Sequence, residues 1–269
     1  MSILKYRRGV SAPAPESYVG PLTQAGPDRL EAALSNLTSG RSLPPSELLD
    51  AKIKFDLERG SRHVFTGAKI WKTSRYPSQK ARRTLEIEGG PEQSLAMESE
   101  VDVGITDYRT QPFTITFSMS GSAQVYTPDF IRLRADGQIE IIEVKARMQD
   151  FLKEGYIEKL MGAENIFNAI GWSFLHVVRD GHSNHSFFDQ NVNFIQHCRF
   201  VDLPEVLSAR LCIAARAKSG PSLTYSGAVE ILGGGLLGQS RLFKSIVCRL
   251  VSCDISQPLA LDTPIYLAG

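Results

Sequence analysis

The strongest constraint on this chain lies in one short stretch, Gln138–Lys145 (QIEIIEVK), which follows Asp136-Gly137 and a second β-compatible run, Val125–Leu133. Side chains of a strand alternate between faces, so Ile139, Ile141, Glu143 and Lys145 share one surface. An acid and an amine therefore continue a face that is otherwise apolar, which is a poor place for solvated edge charges. Whether Asp129, within Tyr126-Thr127-Pro128-Asp129-Phe130, joins them depends on the connecting turn. A two-residue loop at Asp136-Gly137 pairs Asp129 with Val144 and sends the two carboxylates to opposite faces. A three-residue loop, Ala135-Asp136-Gly137 with Gly137 left-handed, pairs Leu133 with Ile139, Ile131 with Ile141 and Asp129 with Glu143. Requiring both acids to reach one cation selects the three-residue loop.

Two carboxylates opposite one another repel unless something binds between them. Oxygen ligands from Asp and Glu suit Mg²⁺ or Mn²⁺, completed by water and phosphate oxygens. Lys145, two residues along the same face, is placed to orient or deprotonate an attacking water and to offset charge on a scissile phosphate. A third acid from a neighbouring helix would complete the metal shell, and Glu92 is the candidate.

The surrounding pattern gives the order helix, three strands, helix, strand. Gly89-Gly90-Pro91 opens a helix over Glu92–Val101, with proline and acids at its start. Phe113, Ile115 and Phe117 alternate with threonines as a half-buried strand, and Val125–Leu133 and Gln138–Lys145 are two more. Glu154–Ile170 is an amphipathic helix closed by Gly171, and Trp172–Val178 is a further strand. The expected class is α/β (mixed α+β), with an αβββαβ core in residues 61–201.

Residues 1–60 read as an N-terminal extension, partly helical. Prolines punctuate it, and helical spacing is confined to Asp28–Leu37 and Ser46–Glu58. Residues 202–269 hold three helical stretches, Pro204–Ala217, Ser222–Leu232 and Leu236–Val251, then a short β-like tail. That arrangement predicts a small C-terminal winged-helix domain.

Net charge is +1, but residues 1–83 carry 15 Lys/Arg against 7 Asp/Glu while residues 84–150 carry 5 against 12. A basic leading part beside an acidic middle suits phosphate contacts in one place and cation collection in another. Lys69, Lys72, Arg75, Lys80, Arg82 and Arg83, interleaved with Trp71 and Tyr76, are the candidate DNA-binding residues. Arg241, Lys244 and Arg249 in the last helix either meet phosphates or face water. Cys198, Cys212, Cys248 and Cys253 form no CxxC pair, which argues against a zinc ribbon and against a disulfide framework. No apolar run approaches the roughly 20 residues of a membrane span, so a cytoplasmic location is expected.

The residues Pro128-Asp129, Glu143-Val144-Lys145 and Glu92 resemble the PD-(D/E)xK nuclease superfamily, which has a restriction-endonuclease-like core. More closely, the chain resembles the TnsA-type endonuclease subunit of heteromeric bacterial transposases. The likeness runs through Pro77-Ser78-Gln79-Lys80, Glu88-Gly89-Gly90-Pro91-Glu92, Ile105–Pro112, Tyr126–Phe130 and Glu143–Lys145. It implies that Glu92, Asp129 and Glu143 bind Mg²⁺ and that Lys145 serves the nucleophilic water, with Glu88 and Glu86 as alternative helical ligands. Gln111 falls on a family position as a candidate accessory residue or a structural brace. The resemblance further implies cleavage of the 5′ strand at transposon ends, beside a DDE-type transposase subunit and an AAA+ ATPase regulator, in the bacterial cytoplasm. A stand-alone repair or restriction-type nuclease and a catalytically silent bridging factor are the alternative readings.

Overall fold

A computed structural model describes residues 29–30, 32–34, 51–55, 73–179, 186–217 and 222–268 of the chain. They fall into two compact units, one drawn from 26–96 and 105–182, the other including 97–104 and 183–269. The second unit thus starts ahead of the expected boundary at 201. The reason is a helix, α3 (Phe187–His197), whose Val192 and Ile195 are buried in that unit's core.

In the first unit, an antiparallel hairpin of β2 (Thr73–Ser78) and β3 (Arg83–Glu88) leads into α1 (Gly89–Val101), whose residues from Met97 on are counted with the second unit. A four-stranded sheet follows in the order β4 (Ile105–Thr110), β7 (Phe130–Arg134), β8 (Ile139–Lys145), β9 (Ser173–Val178). Its first two pairings are antiparallel and β8–β9 is parallel, with α2 (Tyr156–Ala169) in the connection between them. A parallel neighbour needs such a crossover, which a two-residue turn cannot supply.

The αβββαβ order holds, but with different strands from those expected. Phe113–Met119 is β5, and it lies in a separate sheet between β1 (Ala51–Phe55) and β6 (Ser122–Tyr126). The first core strand is instead Ile105–Thr110, whose hydrophobic alternation is broken by a buried ion pair between Arg109 and Asp107. The single strand expected over Val125–Leu133 is two, β6 (Ser122–Tyr126) and β7, parted at Thr127-Pro128-Asp129. Proline cannot donate to a ladder, so the chain leaves one sheet there and enters the other.

The helix expected over Ser46–Glu58 is also corrected where it is described. Ala51–Phe55 is strand β1, paired antiparallel with β5 as Ala51↔Phe117, Ile53↔Ile115 and Phe55↔Phe113. The period-2 row Ala51, Ile53, Phe55 outweighs the weaker helical spacing, and Ala51 and Ile53 pack on the core. The rest of that segment lies outside the described residues.

The loop joining β7 to β8 has the expected three residues. Leu133 pairs with Ile139 and Ile131 with Ile141; Arg134 N–H donates to the Gln138 carbonyl, and Gly137 has φ +83°. One face of this hairpin packs Ile131, Leu133, Ile139 and Ile141 with Leu160, Ala163, Ile166 and Phe167 of α2 and with Phe113, Ile115 and Phe117. Burial at about 25 cal/mol per Å² makes this the main stabilising contribution of the unit. The other face buries a polar pair: Arg132 donates twice to Glu140 Oε2, at 3.1 and 2.7 Å.

The second unit packs α3, α4 (Glu205–Arg216), α5 (Tyr225–Ile231), α6 (Gly235–Val247) and the short ladder β10 (Val251–Ser252) with β11 (Tyr266–Leu267). Its core gathers Leu211, Ala228, Leu232, Leu242, Ile246, Val247 and Val251. Three consecutive helices and a hairpin are present as expected. The last helix, however, is buried on almost every side from Leu242 to Val247. Gly238 explains how closely it sits on α5, since a Cβ there would fall 2.4 Å from the Val229 carbonyl oxygen.

Candidate active site

Beyond Ile141, the apolar face of β8 turns polar. Glu143 is only 2% exposed, and both of its carboxylate oxygens are engaged. Oε2 accepts the Tyr126 hydroxyl at 2.6 Å, while Oε1 takes both the Tyr156 hydroxyl and the Lys145 ammonium. Tyr126 closes β6, and Tyr156 is the first residue of α2. Three elements therefore meet on one acid. Hydrogen bonds to a charged partner each contribute about 1.5–3 kcal/mol, enough to hold a carboxylate that would otherwise be costly to bury.

Asp129 stands at the mouth of β7, one step beyond the last laddered pair, Phe130↔Ile142. Its Oδ2 accepts the Val144 N–H at 2.8 Å and lies 3.5 Å from Lys145 Nζ. The Asp129 carbonyl accepts the Gln111 N–H at 2.8 Å, which ties the end of β4 to the same corner. The amine of Lys145 is thus shared between the two acids that the hairpin register brings together.

Glu92 enters from the first turn of α1, where the chain leaves β3 through Gly89 at φ +83°. Its Oε2 accepts the Glu88 N–H at 2.8 Å, a side chain reaching back to an orphan donor at a helix start. Glu92 is buried, and it feels the charge of Asp129. Glu86 and Glu88 lie instead on hairpin strand β3, across from Arg75 and Thr73.

Burial first, then the repulsion of Glu143, pushes the Asp129 carboxyl from 3.8 up to about 7. Burial and then Asp129 hold Glu92 well above the ordinary carboxylate range. Burial alone would lower Lys145, but Glu143 and Asp129 outweigh it and raise its pKa, keeping it an ammonium. Burial followed by the charge of Glu143 raises both tyrosines. His176, register partner of Glu143 on β9 and flanked edge-on by Phe151 and Phe174, is lowered mainly by burial.

Among the described residues no three of His, Cys, Asp and Glu stand as a ready metal cage. The ammonium of Lys145 sits where the two acids converge. The donor set nevertheless fits a hard divalent cation. Glu92 and Glu143 are buried and Asp129 is half-buried. Burial first, and then the negative charge of a neighbouring acid, hold Glu92 and Asp129 toward protonation, and a cation would relieve that repulsion.

Gln111 is buried at φ +44°, and its Oε1 has no hydrogen-bond partner among the described residues. It braces the corner through its backbone. Of the basic candidates, Lys69 and Lys72 lie outside the described residues. Arg75 and Arg82 are exposed on or beside the β2–β3 hairpin, and Lys80 and Arg83 are half-buried there. Lys244 and Arg249 are buried and Arg241 is half-buried, and each donates to a backbone carbonyl. Arg241 donates to the Leu232 carbonyl at 2.9 Å, Lys244 to that of Arg199, and Arg249 to that of Val103 at 2.6 Å. Carbonyls left over at helix ends consume these cations.

Tyr126 and Tyr156, the two hydroxyls on Glu143, are the site residues that sequence reasoning missed. Tyr126 enters there only as part of a motif, and Tyr156 falls at helical spacing with Leu160, Ala163 and Phe167, the spacing of a core row. The signal available for Tyr156 was its position near the start of the first long helix after the strand that carries Glu143 and Lys145.

Residues 102–178 match the family described as TnsA-like endonuclease N terminal. The matched segment contains Gln111, Tyr126, Asp129, Glu143, Lys145 and Tyr156, and Glu92 precedes it. No curated protein matches the chain.

Proposed function

We propose that this chain, which carries a TnsA-like endonuclease N-terminal domain over residues 102–178, is the endonuclease subunit of a heteromeric transposase and cuts the 5′ strand at transposon ends. One observation carries the reading: the amine of Lys145 is shared by Asp129 and Glu143 at the end of the matched sheet. The match of residues 102–178 to an endonuclease family and the acid–acid–lysine corner within it point to the same chemistry, hydrolysis of a phosphodiester.

Glu92, Asp129 and Glu143 would hold Mg²⁺ or Mn²⁺, which when bound polarises phosphate oxygens and supplies a nucleophile near neutral pH. The chain's own residues do the rest. Asp129, anchored by the Val144 N–H, and Glu143, anchored by Tyr126, keep their oxygens oriented without reorganisation. Lys145 stays charged between them, so it offsets charge on the scissile phosphate and orients the attacking water. Gln111 braces Asp129 as an accessory residue.

DNA is assigned to the basic β2–β3 hairpin and the segment before it, through Lys69, Lys72, Arg75, Lys80, Arg82 and Arg83. A winged-helix identity for the C-terminal domain of residues 202–269 is supported by its three helices and hairpin. Because the cations of α6 are used internally, this domain is assigned to protein contacts, with the DDE-type transposase subunit and an AAA+ ATPase regulator as the partners. The whole assembly would work in the bacterial cytoplasm.

The test is to incubate the chain with Mg²⁺, its transposase partner and transposon-end DNA. Nicking of the 5′ strand that disappears in Asp129→Ala and Lys145→Ala supports the reading. Unchanged nicking in both variants overturns the roles given to these residues.

A further inference from the structure

The two tyrosines on Glu143 are not equivalent. Tyr126 is 3% exposed, and its ring lies against Phe167 and Phe174, with centroids 6.5 and 6.1 Å away. Its hydroxyl holds Oε2, the oxygen turned toward the core. Tyr156 is half-buried at the first position of α2, directly after Gly155 in the left-handed conformation. No side chain caps that helix start, and helix ends are where a structure opens at least cost.

A carboxylate oxygen offers two in-plane lone pairs. On Oε1 two donors are present, the Tyr156 hydroxyl and the Lys145 ammonium. A divalent cation that binds Oε1 must therefore dislodge one of them. Lys145 is the better held, since it also reaches Asp129 Oδ2 at 3.5 Å and the Val144 carbonyl at 3.3 Å. Among the described residues the Tyr156 hydroxyl bonds to Glu143 alone. Its ring lies beside the ammonium, with its centroid 5.6 Å from Nζ.

We propose that Tyr126 and Tyr156 act on Glu143 in opposite senses: Tyr126 is a positioning residue that orients the carboxylate for a divalent cation, and Tyr156 is an occupant of Oε1 that the cation displaces. The inference rests on the cation-binding reading given above and adds to it a residue that opposes loading. An orienting partner on a ligand strengthens metal binding, whereas a donor on the ligating lone pair competes with the metal for it.

The experiment is Mn²⁺ binding to the full chain, followed by EPR of the free ion, for wild type, Tyr126→Phe, Tyr156→Phe and Asp129→Asn. Mn²⁺ affinity should fall about tenfold or more in Tyr126→Phe, the usual cost of losing an outer partner. In Tyr156→Phe it should rise about three- to tenfold, a fraction of the worth of a hydrogen bond to a charged group. An unchanged or weakened affinity in Tyr156→Phe overturns the inference. Should wild-type binding prove insensitive to Asp129→Asn, the cation site itself fails, and the two failures are thereby distinguished. A second measurement does not depend on any variant folding. With ¹³Cζ-labelled tyrosine, Mg²⁺ should shift the Tyr156 resonance and leave that of Tyr126 nearly in place, and the reverse pattern also overturns the inference.

Discussion

Asp129 Oδ2 lies 3.5 Å from Lys145 Nζ and accepts the Val144 N–H at 2.8 Å, so one carboxylate oxygen is fixed by both the backbone and the side chain of the neighbouring strand. Lys145 is among the forces that keep Asp129 from rising further than it does. Lys145→Met should therefore lift the Asp129 carboxyl above about 7. It should also reduce nicking by about 10²–10³-fold, the usual worth of a preorganised group that stabilises developing charge. A ¹³C titration of the carboxyl and a strand-nicking assay check the two outcomes independently.

Stability should depend on pH through the same residue. Burial and Glu143 raise the Asp129 carboxyl from 3.8 to about 7, so the folded chain binds this proton more tightly than the unfolded one. The contribution is fully present below 3.8 and is lost as pH rises through about 7. Asp129→Asn should accordingly stabilise the fold by about 1–3 kcal/mol at pH 8 and by much less at pH 4. Urea unfolding at the two pH values measures the difference, and an equal effect at both would contradict it.

On the opposite face of the sheet, Arg132 and Glu140 are buried together, and Arg134 reaches Glu140 Oε1 at 3.2 Å. Removing one member leaves a charge with diminished support. Arg132→Met should cost about 3 kcal/mol, and the double change Arg132→Met with Glu140→Leu should recover most of that loss. A double-mutant cycle in denaturant gives the coupling directly.

Lys244 separates a structural role from a DNA contact in the second unit. Its ammonium is buried and bonded to the Arg199 carbonyl. Lys244→Met should lower stability by about 1–2 kcal/mol, the cost of leaving that carbonyl without its donor. DNA affinity and its salt slope should stay unchanged, where a lost phosphate contact would lower the slope by about one unit. Thermal melting and a salt titration of DNA binding read the two effects separately.

The hairpin that carries the site was legible because strand periodicity and turn chemistry agree there. Only one loop length puts Asp129 and Glu143 side by side, and Gly137 supplies the backbone conformation that this loop needs. Ile105–Thr110 escaped notice as a core strand because Asp107 and Arg109 neutralise each other inside, so a buried strand reads as polar. Phe113–Met119 drew attention with a clean alternation yet belongs to another sheet, since pattern reports burial and not partner. The strand at Ala51–Phe55 finds its mate at Phe113–Phe117, a pairing far along the chain that no local window contains. The fates of Arg241, Lys244 and Arg249 were equally hidden, because a basic side chain that ends on a backbone carbonyl leaves no mark on composition.

The excursion through β5 and β6 leaves the four-stranded sheet after Gln111-Pro112 and returns at Thr127–Asp129, and the Gln111 N–H bond to the Asp129 carbonyl closes its base. Its far end, Ser120-Gly121, turns with positive φ at both residues, roughly 17 Å along the strand from Tyr126 at about 3.3 Å per residue. The loop is therefore an outrigger whose foot is nailed down and whose tip is free to vary. A fluorophore or affinity tag grafted at that tip would travel with the protein while leaving the Asp129–Glu143–Lys145 corner untouched.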